Sequence, residues 1–485
     1  MNHVVILTFS MSLVLQIRYL GPYQIAWYIR QHGFNSQVLD FLSFMSNEQR
    51  MALYKKFISK ETKIIGFAPF LTRLNDQNNE SKKRTLDILR EIKENFPWAK
   101  IIIGGPFAVA FRDSVYKQID FKIDAIFIGQ GEYTFLEYCN YIFNNGPHPN
   151  FILTNDLKVI NYTKEYNISL CKMRFEEQDF ILENEALPLQ LSRGCIFKCK
   201  FCRYELIGKD KDDFNRSLEL VKETMIYHYE NFGTTRYNMA DDTFNSHRER
   251  TLKFHEMVKT LPFKIEYVGY LRIDLLDIWP EQQEILVDSG LVSCHFGIES
   301  LDPISCKQIG KGWGAKNNKK FLKHLLGKWG NNAIIRCSLI AGLGEETEKD
   351  WESTNQWFLD SGVHSWDFKP LGINVHHPMT EFEQSPEKFG FRWPDLENNP
   401  WQWENDYTDF ASARKWCDET NFKNQNKQLP GAWHYSFYRT LDFSSEQILS
   451  SNLAKLKESV LKEKRVQNFV DAYYQKAINY KSQLR

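Results

Sequence analysis

Three of the nine cysteines in this 485-residue chain stand within eight residues of one another, at Cys195, Cys199 and Cys202 in the stretch LSRGCIFKCKFCRYE. Their spacing is C-x3-C-x2-C, with the aromatic Phe201 directly before the third. Thiols this close can cross-link, hold a single metal ion or hold an iron–sulfur cluster. Cross-linking fits poorly, because disulfide scaffolds are short and cysteine-dense, while this chain is long, sparing in cysteine and odd in its count. A structural zinc ion asks for four ligands, usually as two separated pairs. Here no fourth ligand is evident: Cys294-His295 is distant and lies in an apolar, strand-like run. Three thiolates suit a cubane cluster better. Soft sulfur ligands select iron–sulfur chemistry, and three protein bonds leave one iron open for reaction.

Free thiolates imply a reducing compartment. The opening segment MNHVVILTFSMSLVLQIRYLG is apolar but has no basic leader, and Gln16 and Arg18 interrupt it well short of a membrane span. It reads as a buried strand followed by a loop, and the expected location is cytoplasmic. Lys plus Arg and Asp plus Glu are equal at 61 each, so the formal charge is zero and gives no sign of a nucleic-acid groove. A hydrophobic share of 42% and a charged share of 25% are those of an ordinary globular protein, large enough for two or three domains.

The cysteine motif, with SRG before it and Arg203 after it, resembles the signature of the radical S-adenosylmethionine (SAM) enzymes. Ile196 stands where a proline commonly follows the first cysteine, a departure that leaves the three ligands intact. The resemblance implies that Cys195, Cys199 and Cys202 hold one [4Fe–4S] cluster, whose open iron takes the amino and carboxylate groups of SAM. Cleavage of the sulfonium then gives a 5′-deoxyadenosyl radical. It also implies an external electron donor such as flavodoxin or ferredoxin.

The elements that must carry such a loop follow in two series. Over residues 1–150, short apolar runs (HVVILTF, SQVLDFL, KIIGFAPF, AKIIIGGPF, DAIFIGQGE) alternate with helix-length amphipathic stretches. That alternation predicts a doubly wound, Rossmann-like parallel sheet, with Gly104, Gly105 and Gly129 at strand ends, where ligands approach the backbone in such sheets. The region resembles the cobalamin-binding domain that precedes the radical SAM domain in one large subfamily. Cobalamin is therefore expected there, with Gly104, Gly105 and Gly129 as its binding residues. The D-x-H-x-x-G motif that supplies an axial histidine elsewhere is absent, so no histidine on cobalt is expected. Cys139 stands alone in this region, which disfavours the methylthiotransferase branch and its second cysteine triad.

Residues 151–186 read as a linker containing a hairpin around Asn155-Asp156. From 187 to 379 a second series places strands at 187–191, 235–239, 264–270, 292–298, 333–340 and 365–369. Six βα units match the partial (β/α)6, TIM-type barrel of the radical SAM fold, with chemistry at the strand carboxyl ends. Polar groups gather there: Asp241-Asp242, Glu299-Ser300, and Gly342, Gly344 and Glu345. The resemblance carries SAM contacts onto Asp241, Glu299, Arg336 and Gly342, while Arg272 and Asp274 match a subfamily pattern. Residues 380–485 read as an aromatic-rich, helical region. SSEQ at 444–447 offers a capping box for one long helix, preferred as a cap over the open side of the barrel. A competing role for Trp401, Trp403 and Tyr407 is to line a substrate pocket.

The function implied is SAM cleavage followed by cobalamin-dependent methylation of an unactivated carbon. The alternatives are radical oxidation, cyclisation or rearrangement without methyl transfer, and, from another class, a non-catalytic iron–sulfur or corrinoid-binding regulator. No residue is assigned to catalysis beyond the cofactors, and the substrate is unknown from sequence.

Overall fold

A computed structural model describes residues 1–8, 18–68, 80–105, 108–114, 116, 119–154, 156–161, 165–202, 214–311, 313–373, 375, 380–397 and 401–481. The chain divides into two compact units. One comprises Met1–Pro188, Glu223–Thr234 and Lys464–Arg485; the other comprises Leu189–Lys222 and Thr235–Glu463.

The first unit is built on seven strands: β1 (Val4–Thr8), β2 (Ser36–Leu39), β3 (Ile64–Ala68), β4 (Lys100–Ile103), β5 (Ala125–Ile128), β6 (Ile152–Thr154) and β7 (Leu157–Asn161). Their order in the sheet is β2-β1-β3-β4-β5-β7-β6, parallel except for the β6–β7 hairpin. The apolar runs seen in the sequence become strands buried on both faces, as parallel strands between helices must be. The hairpin corrects one expectation. It is no free linker, because β7 pairs in parallel with β5 from Ile126↔Val159 to Ile128↔Asn161 and extends the sheet.

The helix Arg465–Asn479, near the end of the chain, belongs to this first unit. The hydroxyl of its Tyr473 accepts a hydrogen bond from the Asp40 backbone N–H at 2.9 Å, just past β2. At its last turn the Lys56 ammonium donates to the carbonyls of Ala477, Ile478 and Tyr480 at 2.9, 2.6 and 2.6 Å, satisfying orphan acceptors and the negative end of the helix dipole. The single long helix expected after Ser444 is in fact three: Ser445–Leu449, Leu453–Lys462 and Arg465–Asn479. Asn452 caps the second through its side chain, and Lys464 enters the third in the left-handed region at φ 52°. Each break is local, at a capping residue rather than at a Gly or Pro, which is why the absence of those two residues gave no warning.

The second sheet consists of β8 (Leu187–Leu189), β9 (Arg236–Met239), β10 (Glu266–Leu271), β11 (Leu291–Glu299), β12 (Ile334–Ala341) and β13 (Ser365–Pro370), which neighbour one another in that sequence. The registers from β9 to β13 are all parallel. Side-chain alternation gives the sheet two faces. Phe296 stacks on Trp329 of the helix Ala315–Trp329, and Phe368 packs against Trp416 of the helix Phe410–Asn424. Helices thus cover that face. Tyr270, His295, Arg336 and Ser365 are in register on the other face, the interior of the partial barrel.

Candidate functional site

The cysteine loop leaves β8 and is held by the strand next to it. Asp241, two residues past β9, accepts hydrogen bonds from the Leu191 N–H at 2.9 Å and the Ser192 hydroxyl at 2.5 Å. Arg250 lies 3.8 Å from the same carboxylate. Asp242 accepts from the Gly194 N–H at 3.0 Å, and Gly194 itself turns in the left-handed region at φ 84°. Both carboxylates of the Asp-Asp pair therefore hold the loop immediately before Cys195. Asp241 is 1% exposed, and burial pushes its carboxyl up against the pull of Arg250 and its hydrogen bonds. Expected from sequence as a SAM contact, it has each oxygen engaged by the loop.

The three cysteines carry no disulfide; Cys199 is buried, and Cys195 and Cys202 are partly exposed. The Cys195 sulfur lies 3.3 Å from the Thr243 hydroxyl. Arg272 places Nη1 3.7 Å from the Cys199 sulfur, and its guanidinium covers the Phe197 ring at 3.9 Å. Asp274 fixes that guanidinium through two contacts, at 3.0 and 2.5 Å, while Asn245 ties the Arg272 backbone at 2.8 and 3.0 Å. Burial pushes the Cys199 thiol up, and the neighbouring Lys311 and Arg272 cations pull the other way. Further along, the Lys200 N–H donates to the Ile309 carbonyl, and the Phe382 N–H donates to the Lys200 carbonyl, each at 3.1 Å. Backbone from two other segments thereby fixes the loop between its second and third cysteines.

Glu299 closes β11 in the left-handed region, at φ 64°, a conformation an L-residue holds only when its surroundings impose it. Its carboxylate meets Lys311 Nζ at 2.7 Å, and the same ammonium donates to the Gly297 carbonyl at 2.6 Å. A Cβ on residue 297 would run into both charged groups, so glycine there is what lets the pair form. Lys311, Thr243 and Asn245 were not singled out in the sequence. Lys311 is the sole charged residue in the glycine-rich run GKGWG, a signal too weak to read before the fold is known.

Gly342, directly past β12, and Arg336, within it, each meet protein neighbours. Gly342 is left-handed at φ 94°, and the Trp403 indole fills the space where a Cβ would sit; the indole N–H donates to the Leu371 carbonyl at 2.8 Å. Glycine at 342 thus makes room for a core tryptophan. With Trp403 1% exposed and Tyr407 48% exposed, these aromatics do not face one common pocket. Arg336 pairs with Asp367 at 2.9 Å and donates to the Ser365 hydroxyl at 3.0 Å, inside the barrel and below the strand ends.

Among the described residues, no three Cys, His, Asp or Glu side chains converge on one point, as a single ion would require. A cubane asks for something different, one thiolate at each of three corners, and the donor set of three cysteines fits it.

In the first unit, Gly104 follows β4, with Gly105 left-handed at φ 91°, and Gly129 follows β5 at φ 91°. A Cβ on Gly104 or Gly105 would meet nothing among the described residues nearer than 3.9 or 3.7 Å. At the carboxyl end of β4 a side chain would therefore make no more than ordinary contact with the described residues. The loops after β1 and β3, which flank the point where the strand order reverses, lie outside the described residues.

Residues 189–358 match the family model described as the radical SAM superfamily. An uncharacterized methyltransferase of Pyrococcus horikoshii is 24% identical over 355 residues, which are 68% of this chain and 69% of that protein. The bacteriochlorophyllide d C-12(1)-methyltransferase of Chlorobaculum tepidum is 22% identical over 41% of this chain and 42% of its own. Among solved structures, the radical SAM methyltransferase TsrM from Kitasatospora setae superimposes with a TM-score of 0.62 at 16% identity, covering 80% of this chain and 77% of TsrM. The cobalamin-dependent enzyme OxsB gives 0.58 at 16% identity, covering 82% of this chain and 56% of OxsB. These likenesses fix the fold of both units. With the three-cysteine loop following the first strand of a parallel partial barrel, and the family match covering most of that barrel, residues 189–358 form a radical SAM superfamily domain.

Proposed function

We propose that this protein is a cobalamin-dependent radical SAM methyltransferase acting on an unactivated carbon. The observation that carries the reading is the pairing, in one chain, of the three-thiolate loop with a sheet of order 2-1-3-4-5 that has left-handed glycines, Gly105 and Gly129, just past two adjacent strands. Cys195, Cys199 and Cys202 would hold the cluster, which when bound supplies the electron that cleaves SAM. Cobalamin would lie over Gly104, Gly105 and Gly129 and supply the methyl group. Around these groups the chain's own residues hold geometry and charge. Asp241 and Asp242 fix the loop, Arg272 sets a cation against one thiolate, and the Glu299–Lys311 pair stands at the end of β11. The electron comes from an external donor of the flavodoxin or ferredoxin type. The names of the relatives and of the two fold neighbours support methylation as the outcome.

Purification in the presence of hydroxocobalamin tests the first half of the proposal. The expected result is near-stoichiometric corrinoid absorbance, reduced when Gly105 is replaced by Trp, which strains the left-handed turn and fills the space above it. A chain that takes up its cluster but shows no corrinoid bands would rule out cobalamin.

A further inference from the structure

The barrel interior carries a second group of polar residues, apart from the cysteine loop and its supports. Tyr270, His295 and Arg336 are in register on β10, β11 and β12, and Asp367 and Lys369 project from the same face of β13. Arg336 aligns with His295, whereas Glu299 at the strand end aligns with Leu339, three residues further along β12. At roughly 3.3 Å of rise per residue, the group lies about 10 Å below the level of Glu299 and the cysteine loop.

Below this layer the interior is closed by the helix Trp433–Thr440 and the residues before it. The Ala432 N–H donates to the Ser293 hydroxyl at 2.5 Å, and a Cβ on Gly431 would meet the Arg336 Cβ at 2.8 Å. Trp433 rests against Tyr270 and His295, with ring centroids 4.2 and 5.7 Å away. Solvent reaches the group at two residues: Tyr270 is 41% exposed and the Lys369 side chain 69%. His295, Arg336, Asp367 and Trp433 are all at least nine-tenths buried.

Charge and hydrogen bonding in this floor do not balance. The single carboxylate of Asp367 faces two cations, Arg336 at 2.9 Å and Lys369 at 3.2 Å. Its Oδ1 touches Arg336 as a charge contact without hydrogen-bond alignment. His295 adds no charge, since burial and the nearby Arg336 push its pKa down to about 3. Among the described residues, the Trp433 indole nitrogen, a donor only, has no partner, and neither has His295 Nδ1. Buried polar groups are normally satisfied, so an unpaired donor beside surplus positive charge calls for an acceptor with negative charge.

We propose that this floor binds the acidic end of the substrate, an organic acid with a planar apolar body. Its carboxylate lies against Arg336, Lys369 and the Trp433 N–H, and its ring system packs on Tyr270. This inference rests on the methyltransferase reading and names the class of molecule that is methylated.

Equilibrium dialysis of the full cluster-loaded chain, without SAM, against naphthoate, naphthamide and naphthyl phosphate tests it. Naphthoate should bind about tenfold or more tighter than naphthamide, the difference a charge-assisted contact makes. Lys369→Met and Trp433→Phe should each remove most of that preference. These variants spare Arg336, whose loss would strand a buried carboxylate and risk unfolding. Equal binding of acid and amide, unchanged naphthoate binding in both variants, or no binding of naphthoate would overturn the proposal. Tighter binding of naphthyl phosphate would overturn the carboxylic-acid assignment in favour of a phosphate ester. Dialysis needs no SAM cleavage, so its failure leaves the methyltransferase reading standing, and loss of SAM cleavage leaves the dialysis result intact.

Discussion

Arg272 holds its Nη1 3.7 Å from the sulfur of Cys199 while its guanidinium plane covers Phe197, the residue midway between the first two cysteines. A cation fixed by Asp274 and stacked on the loop stabilises the more negative, reduced state of any cluster bound there. Arg272→Met should therefore lower the cluster's midpoint potential by roughly 50 mV, a one-electron equivalent of about 1.2 kcal/mol. Arg272→Lys should recover part of the shift. The readout is an EPR-monitored redox titration, and an unchanged potential in Arg272→Met would remove the electrostatic role.

Asp241 is expected to act on the cluster loop rather than on SAM. Asp241→Ala frees the Leu191 N–H and the Ser192 hydroxyl and leaves Arg250 with no carboxylate. The cost should be about 2–4 kcal/mol of local stability. Iron content per chain should fall, while the loaded fraction binds SAM normally. Full iron content with SAM affinity lowered tenfold would reverse the assignment.

Gly297 and Glu299 should behave as one unit. A side chain at 297 displaces the Glu299–Lys311 pair, so Gly297→Ala and Glu299→Gln are both expected to weaken SAM binding by about tenfold or more. The cluster spectrum should be unchanged. Loss of the cluster with SAM affinity retained would instead make the pair a support of the loop.

Glu346 gives a prediction about pH. Its carboxyl accepts hydrogen bonds from the Ser300 hydroxyl and, at 3.0 Å, from the Trp351 indole N–H. Burial raises its pKa from 4.5 to about 7. The folded chain therefore binds this proton more tightly than the unfolded chain. The resulting stabilisation is complete below about pH 4.5 and is lost as pH rises to about 7. Glu346→Gln cannot ionise. Relative to the unsubstituted chain, its melting temperature should rise between pH 5 and 8, values that span roughly that window. A constant difference across this range would contradict the shift.

The sequence made the strands legible because parallel strands buried on both faces read as continuous apolar runs. Each of the six barrel strands falls within two residues of its expected place. Side-chain roles were harder to read. Asp241 and Arg336 have the residue types a SAM site wants, but their partners, Ser192 and Asp367, come from other segments. Only the register decides whether a carboxylate faces a ligand or its own loop. The hairpin at 152–161 could be seen as a hairpin, but its pairing with β5 is a long-range choice with no local mark. Trp403 against Gly342 is a contact of the same long-range kind.

The central claim, that Cys195, Cys199 and Cys202 build a SAM-cleaving centre, is tested most directly by quantifying 5′-deoxyadenosine after anaerobic reconstitution with iron, sulfide, SAM and a strong reductant. The unsubstituted chain should form it, and Cys195→Ala, Cys199→Ala and Cys202→Ala should each form none, because two thiolates cannot hold the open-iron geometry. A cluster-loaded wild type that forms no 5′-deoxyadenosine, or a triple alanine variant that still forms it, would contradict the account.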